Sequence, residues 1–314
     1  MGGAAPAVSR LRAAAVGVLL VAAATAAAWA VAFPQVVPAT AATRALADCA
    51  AVVTLGLAVV PLLDTGRRRG ELARTAAGPL AVSAGCWLLA EVVRLAVQGA
   101  QLVGVPVWRL RTSTVVEYAT VTAAGRSALL SIAAAATVAG LALAAHRRSA
   151  AWMVAIGAAA AGMLARTLTG HLAASPVGGA AVAVHALAAA LWCGVLAALV
   201  LTVAHRGRWA RVLPRFSQVS LWCVIVLLVC GVAGAAVTLA SPAALFDTGY
   251  GRVLSGKIAV TVALIGLAWR NRTGWVPAAR AHRTTAEVST ARSLTELALM
   301  TVALTFAAVL TVTG

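Results

Sequence analysis

Residues Arg166 to Gly194 read RTLTGHLAASPVGGAAVAVHALAAALWCG. One apolar run ends where this stretch begins. A charge-free turn follows, Ser175-Pro176-Val177-Gly178-Gly179, and then a second apolar run opens. Proline and glycine punctuate the turn, and neither flank alternates with the period of a strand. The second arm stays apolar to Ala204. That exceeds the ~20 residues a helix needs to cross the hydrocarbon. The stretch therefore predicts a hairpin of two membrane-spanning helices, with His171 at the end of one arm and His185 inside the other.

The same texture fills the 314-residue chain, which is 62% hydrophobic and 11% charged, with a mean hydropathy of +0.96. A soluble domain is about 45–50% apolar and about 25% charged. A transmembrane β-barrel would alternate over strands of about ten residues, whereas these runs are long and unbroken. The expected fold is all-α: a polytopic transmembrane helical bundle in a single membrane domain over residues 1–314. Nine apolar runs qualify as spans: Leu11–Phe33, Ala41–Leu63, Ala76–Val97, Val121–Ala145, Ala151–Thr169, Gly179–Ala204, Phe216–Ala240, Val253–Trp269 and Leu294–Thr313. The first, preceded by Arg10 and Arg12, also has the texture of a signal peptide; its removal would leave eight.

The net charge of +17 does not indicate nucleic-acid binding, because the basic residues sit in short clusters between apolar runs. With the N-terminus inside, the cytoplasmic segments hold Arg10, Arg12, Arg67 to Arg69, Arg74, Arg147, Arg148, the Arg206–Arg215 group and the Arg270–Arg292 group. The outer segments hold Arg44, Arg109, Arg111 and Arg252. That asymmetry, about four to one, predicts the N-terminus in and the C-terminus out. The five cysteines form no CxxC pair, so neither a disulfide framework nor a zinc site is indicated. There is no Walker A loop, no Gly-x-Ser-x-Gly elbow and no HExxH, so an enzyme is not expected.

Ionisable residues within spans are costly and mark interiors or water-filled cavities. They are Asp48, Glu91, Arg94, Arg126, Arg166, His185, Lys257 and Glu296, and in this topology all but Glu296 lie in the outer half. Glu91 and Arg94 are spaced to pair on one helix face, and Asp48 has Arg126 or Arg166 within prospect. The sidedness suggests a polar vestibule open to the outside. His171 and His185 are its candidate metal ligands. Met163 adds a thioether that suits Cu(I), and Asp48 adds a carboxylate. Trp192, seven residues past His185, shares its face. Cys193 and Cys230 lie near mid-membrane on successive runs and offer thiols, more simply read as packing residues.

Several motifs in order resemble the copper resistance protein D (CopD) family. They are Gly170-His171, the helix Val184-His185-Ala186-Leu187-Ala188-Ala189-Ala190-Leu191-Trp192-Cys193-Gly194, Arg215-Phe216-Ser217, the run Leu245-Phe246-Asp247-Thr248-Gly249-Tyr250-Gly251-Arg252-Val253-Leu254 with Lys257, and Arg292-Ser293-Leu294 with Glu296. The resemblance defines a CopD-like core of about 150–314, and the N-terminal helices match only in general character. It implies a bacterial cytoplasmic (inner) membrane protein that moves copper inward, served by the lipid bilayer around it and by a periplasmic copper-binding partner of CopC type. Carried over by position, it points to His171, His185, Trp192, Tyr250, Arg252 and Lys257. Here Lys257 and Arg252 are expected to hold the vestibule acids. The turn has no third ligand, and Cys193 replaces a glycine common in the family. Haem held by two imidazoles is the alternative cofactor to copper, and a copper-delivery scaffold for oxidase assembly is the alternative to a transporter.

Overall fold

A computed structural model describes residues 19–31, 38–144, 149–167, 176–238 and 244–313. Among them the helices are α1 (Leu19–Val31), α2 (Pro38–Val59), α3 (Gly66–Leu102), α4 (Thr112–Val121), α5 (Ala123–Leu143), α6 (Ser149–Thr167), α7 (Pro176–Thr202), α8 (Arg206–Thr238), α9 (Ala244–Asp247), α10 (Gly249–Arg270), α11 (Val276–Arg280) and α12 (Ala286–Thr313). Eight helices are long and apolar enough to cross a membrane, and they correspond to the second to ninth runs; α1 is a shorter apolar helix. The protein is a polytopic helical membrane protein.

Large apolar side chains on the outside of the bundle face outward, among them Val82 on α3, Leu130 on α5, Trp222 and Val232 on α8, and Val262 on α10. Such a surface is soluble only in lipid. Hydrophobic burial gives little drive between helices in a bilayer, so close packing and interhelical hydrogen bonds hold them together. Both are visible. The Thr54 and Ser83 hydroxyls meet at 2.9 Å between α2 and α3. Ser131 donates to the Gly162 carbonyl at 2.7 Å between α5 and α6. Trp152 Nε1 donates to the Ala58 carbonyl at 2.5 Å between α6 and α2.

Helix α2 is the centre of the bundle, packing against α3, α6, α7 and α12. Its crossing with α7 is backbone against backbone. A Cβ on Gly56 would lie 1.9 Å from the Gly194 carbonyl carbon, and one on Gly194 would lie 2.1 Å from the Val52 oxygen. No side chain fits at either position.

Two helices outrun the bilayer. Helix α3 has 37 residues, about 55 Å at 1.5 Å per residue, against a hydrocarbon core of ~30 Å. Its excess is the basic segment Arg67–Arg74, so the helix starts ten residues before the apolar run does. Helix α8 likewise starts at Arg206 and runs through Pro214. The polar connection after α3 is not irregular. It folds into a 3-10 turn, Val107–Arg109, and the short helix α4. The side chain of Thr122 then caps α5 by accepting from the Gly125 amide at 2.9 Å.

Candidate functional site

Because neighbouring spans run in opposite directions, the start of α2, the end of α3, α4 and the end of α6 share one end of the bundle. There the sequence-predicted charges come together. Trp87, Glu91, Arg94 and Gln98 are spaced three or four residues apart and so line one face of α3. Glu91 is fully buried and Arg94 nearly so. Arg94 Nε donates to Glu91 Oε2 at 2.9 Å, and Trp87 Nε1 donates to Glu91 Oε1 at 3.2 Å. Arg94 Nη1 reaches Gln98 at 3.0 Å, and the Tyr118 hydroxyl of α4 donates to the same Gln98 oxygen at 3.2 Å. Burial raises the Tyr118 phenol above its ordinary range.

Arg166, near the end of α6, bridges two helices. Its Nη2 lies 2.7 Å from Asp48 Oδ1 on α2, and its Nη1 donates to Glu91 Oε1 on α3. The second Asp48 oxygen accepts from Arg44 Nε at 3.3 Å. Two carboxylates are thus held by three arginines, and both oxygens of Asp48 are engaged. Breaking one member of such a buried set costs more than forming it returns. Of the two prospective partners of Asp48, Arg166 is the one used; Arg126 points outward from α5 and is exposed.

Sequence reasoning missed four members. Arg44 is on α2, counted only as an outer-segment charge. Trp87, Gln98 and Tyr118 carry no charge. The spacing Trp87-x3-Glu91-x2-Arg94-x3-Gln98 was the available signal.

His185 is on α7. Its Nδ1 is buried and makes no hydrogen bond of normal geometry, although the Leu227 backbone is in weak hydrogen-bonding contact with the imidazole. The ring lies against α8, beside the Leu227 backbone, with Cε1 3.9 Å from the Cβ position of Gly231. Lys257 of α10 is near enough for its charge to act on the imidazole. Met163 is buried in the core on α6. His171 lies outside the described residues. Trp192 is buried, and its indole faces Glu296 of α12 without a hydrogen bond of normal geometry. Tyr250 packs beside Val253, Phe306 and Val309.

The expectation that Arg252 and Lys257 hold the vestibule acids is corrected. Arg252 Nε donates to the Val31 carbonyl at 3.0 Å, tying α10 to the end of α1. Arg44, Arg94 and Arg166 hold Asp48 and Glu91, because they sit on the helices that pack directly around those acids. The cysteines also pair off differently. The ionisable groups close enough to act electrostatically on Cys193 are Cys49 of α2, Glu296 of α12 and Cys223 of α8, while Cys230 is partly exposed. Among the described residues no three of His, Cys, Asp and Glu assemble as a metal-binding set.

Two family models match the chain. The model for copper resistance protein D-like, N-terminal domain, matches residues 34–181, and that for copper resistance protein D matches residues 210–312. The first covers Asp48, Glu91, Arg94, Met163, Arg166 and His171. The second covers Tyr250, Arg252, Lys257 and Glu296. His185 and Trp192 fall between the two. No curated protein and no solved structure gives a significant match.

Proposed function

Because the chain belongs to the copper resistance protein D family, we propose that it moves copper ions across the bacterial cytoplasmic membrane, inward from a histidine-containing site near the outer face. The observation that carries this reading is His185. A buried imidazole nitrogen without a well-formed hydrogen bond costs free energy, up to about 1–3 kcal/mol for a fully unsatisfied polar group. A soft cation coordinated there would remove that cost, and imidazole with a thioether suits copper.

Copper is the cargo. It arrives from the outer side, delivered by a periplasmic copper-binding protein of CopC type. It binds His185 together with His171 and Met163, and Lys257 beside the imidazole disfavours a resting cation there, which speeds release. Membrane potential, negative inside, drives a cation inward by ~2.3 kcal/mol per charge per 100 mV. Asp48 joins the ligand set only by giving up an arginine, since Arg44 and Arg166 occupy both its oxygens. Arg166 stands five residues before His171, so copper at Asp48 would also loosen the α2–α3–α6 junction. The N-terminus inside and the C-terminus outside, as the arginine distribution indicates, put this end in the periplasm.

The test is copper content and radiocopper uptake in proteoliposomes, wild type against His185→Ala and the His171→Ala/His185→Ala double variant. Loss of bound copper and of uptake in both variants is expected. Equal uptake by the wild type and the double variant overturns the site. A Soret band in the purified protein overturns copper in favour of haem.

A further inference from the structure

The far end of the bundle holds a buried carboxylate that the copper reading does not use. Glu296, about three turns into α12, is 3% exposed. The other buried acids among the described residues each have an arginine: Glu91 has Arg94 and Arg166, and Asp64 has Arg211 at 3.8 Å. No basic side chain among the described residues comes within ion-pair distance of Glu296. Its bonded partner is neutral: Asn271 Nδ2 donates to Glu296 Oε2 at 2.8 Å. Trp192 Nε1, buried, faces the same carboxylate without a hydrogen bond of normal geometry.

The backbone is shaped around this contact. Between α10 and α11 the chain makes a π-helical turn, Asn271–Trp275. Such a turn carries one residue more than an α-helical one and is frequent at functional sites. Here Asn271 and Trp275 are its two buried members. Glu296 lines a cavity of about 20 Å³ with Ser217, Ser220, Asn271, Arg272 and Trp275. That is room for one water molecule. The cavity adjoins a wider, open one of about 320 Å³ and shares Ser217, Arg272 and Val276 with it. The wider cavity opens past Gln218 and Arg280. Ser217, Gln218, Ser220 and Asn271 thus place hydroxyl and amide groups along the two adjoining cavities between the bundle surface and Glu296.

The groups around Glu296 are few. From the α10–α11 turn they are Asn271 and Arg272. The Arg272 guanidinium is turned away to α8, donating to the Ser217 carbonyl at 2.7 Å and to its hydroxyl at 2.9 Å. From α7 they are Trp192 and the Cys193 thiol, with Cys49 of α2 and Cys223 of α8 beyond it. From α8 itself they are Ser217 and Ser220.

We propose that Glu296 is a proton-exchange site, reached by water through the cavity between α8 and the α10–α11 turn, on the end of the bundle opposite the arginine-bridged acids. A buried carboxylate with no countercation has one ready means of neutralisation, which is a proton. The proton passes from water in the cavity to the Glu296 oxygen that Asn271 leaves free, and returns by the same way. Asn271 holds the carboxylate toward the cavity and is a positioning residue. This inference goes beyond copper handling and does not depend on it.

The experiment uses the full-length protein in liposomes and dicyclohexylcarbodiimide, an apolar reagent that captures protonated carboxyl groups in membranes. Labelled positions are mapped by mass spectrometry across a pH series. Labelling at Glu296 that falls as pH rises, with Glu91 unlabelled, is the expected result. Glu296→Gln removes that label, and Ser220→Val, which narrows the cavity, slows exchange of the carboxyl proton with deuterium from the buffer, read by infrared difference spectroscopy. An unlabelled Glu296, a label independent of pH, or equal labelling of Glu91 overturns the proposal. Unchanged exchange in Ser220→Val overturns the route. Copper enters neither readout, so a failure here is distinct from failure of the transport reading.

Discussion

Replacing Glu91 by glutamine is the sharpest test of how the N-terminal helices are held. The wild-type cluster sets Arg44, Arg94 and Arg166 against Asp48 and Glu91. Glu91→Gln keeps the shape and one acceptor oxygen but leaves three arginines to a single carboxylate. Arg166 keeps Asp48. Arg94, nearly fully buried, keeps only Gln98 at 3.0 Å and a neutral amide. Removing one partner of a buried pair costs about 3–5 kcal/mol, so the loss should fall in that range. Asp48→Asn should cost less, about 1.5–3 kcal/mol, the worth of a hydrogen bond to a charged group, because its side chain is 22% exposed. The strain in Glu91→Gln is excess positive charge, so removing a second charge should relieve it. Glu91→Gln with Arg166→Met restores the wild-type excess of one arginine. The double variant should be more stable than the sum of the two single losses by about 1 kcal/mol or more, well outside the ~0.3–0.5 kcal/mol scatter of independent sites. Equilibrium unfolding in mixed detergent micelles, followed by tryptophan fluorescence, reads all five proteins. Near-wild-type stability of Glu91→Gln, or additivity within that scatter, refutes the account.

Two further outcomes follow from packing. Gly56→Ala places a methyl within 1.9 Å of the α7 backbone, so α2 and α7 must separate; a loss of at least the ~1–3 kcal/mol typical of overpacking is expected in the same unfolding assay. Arg252→Ala removes a single, largely exposed hydrogen bond to Val31; a change of no more than about 1 kcal/mol, with copper uptake retained, is expected in unfolding and flux measurements, and loss of uptake would reinstate Arg252 in the site.

The spans were legible because burial in lipid demands long apolar helices, and that demand is written in one dimension. The faces within a helix were legible too, since Glu91 and Arg94 meet by spacing alone. What the sequence could not supply was which helices touch. Arg166 finds Asp48 rather than Arg126 doing so because α6 lies against α2, while Arg126 faces outward on α5. The proximity of Cys193 to Cys49 has the same origin: the Gly56–Gly194 crossing presses α2 onto α7. Asn271 was invisible as a site residue because the π turn that shifts it inward has no signature in the local sequence. Lys257 and Arg252 were assigned to the acids on shared depth, and depth does not fix azimuth around the bundle.

Azimuth also separates the bundle's polar groups into two kinds. The acids at the α2–α3–α6 end are satisfied by arginines and have become part of the packing. Among the described residues, no charge of opposite sign lies within ion-pair distance of His185 or Glu296. Both lie along α7: His185 belongs to it, and Trp192, two turns further on or about 10 Å along the axis, faces Glu296. Between them, Ala188 and Ala189, three and four residues past His185 and so nearest its face, are small, while Leu187 and Leu191 carry the bulk of that segment. A cation entering at the imidazole and a proton entering at the carboxylate would therefore approach each other along one helix, from opposite ends of the bundle, with the indole of Trp192 between them. This arrangement makes Trp192→Ala informative in a way neither end alone is. It leaves His185, Asn271 and Glu296 in place, so copper binding and carbodiimide labelling should both persist, while the pH dependence of copper flux that this arrangement predicts for the wild type should be lost. Flux that keeps its full pH dependence in Trp192→Ala would show that the two sites act independently.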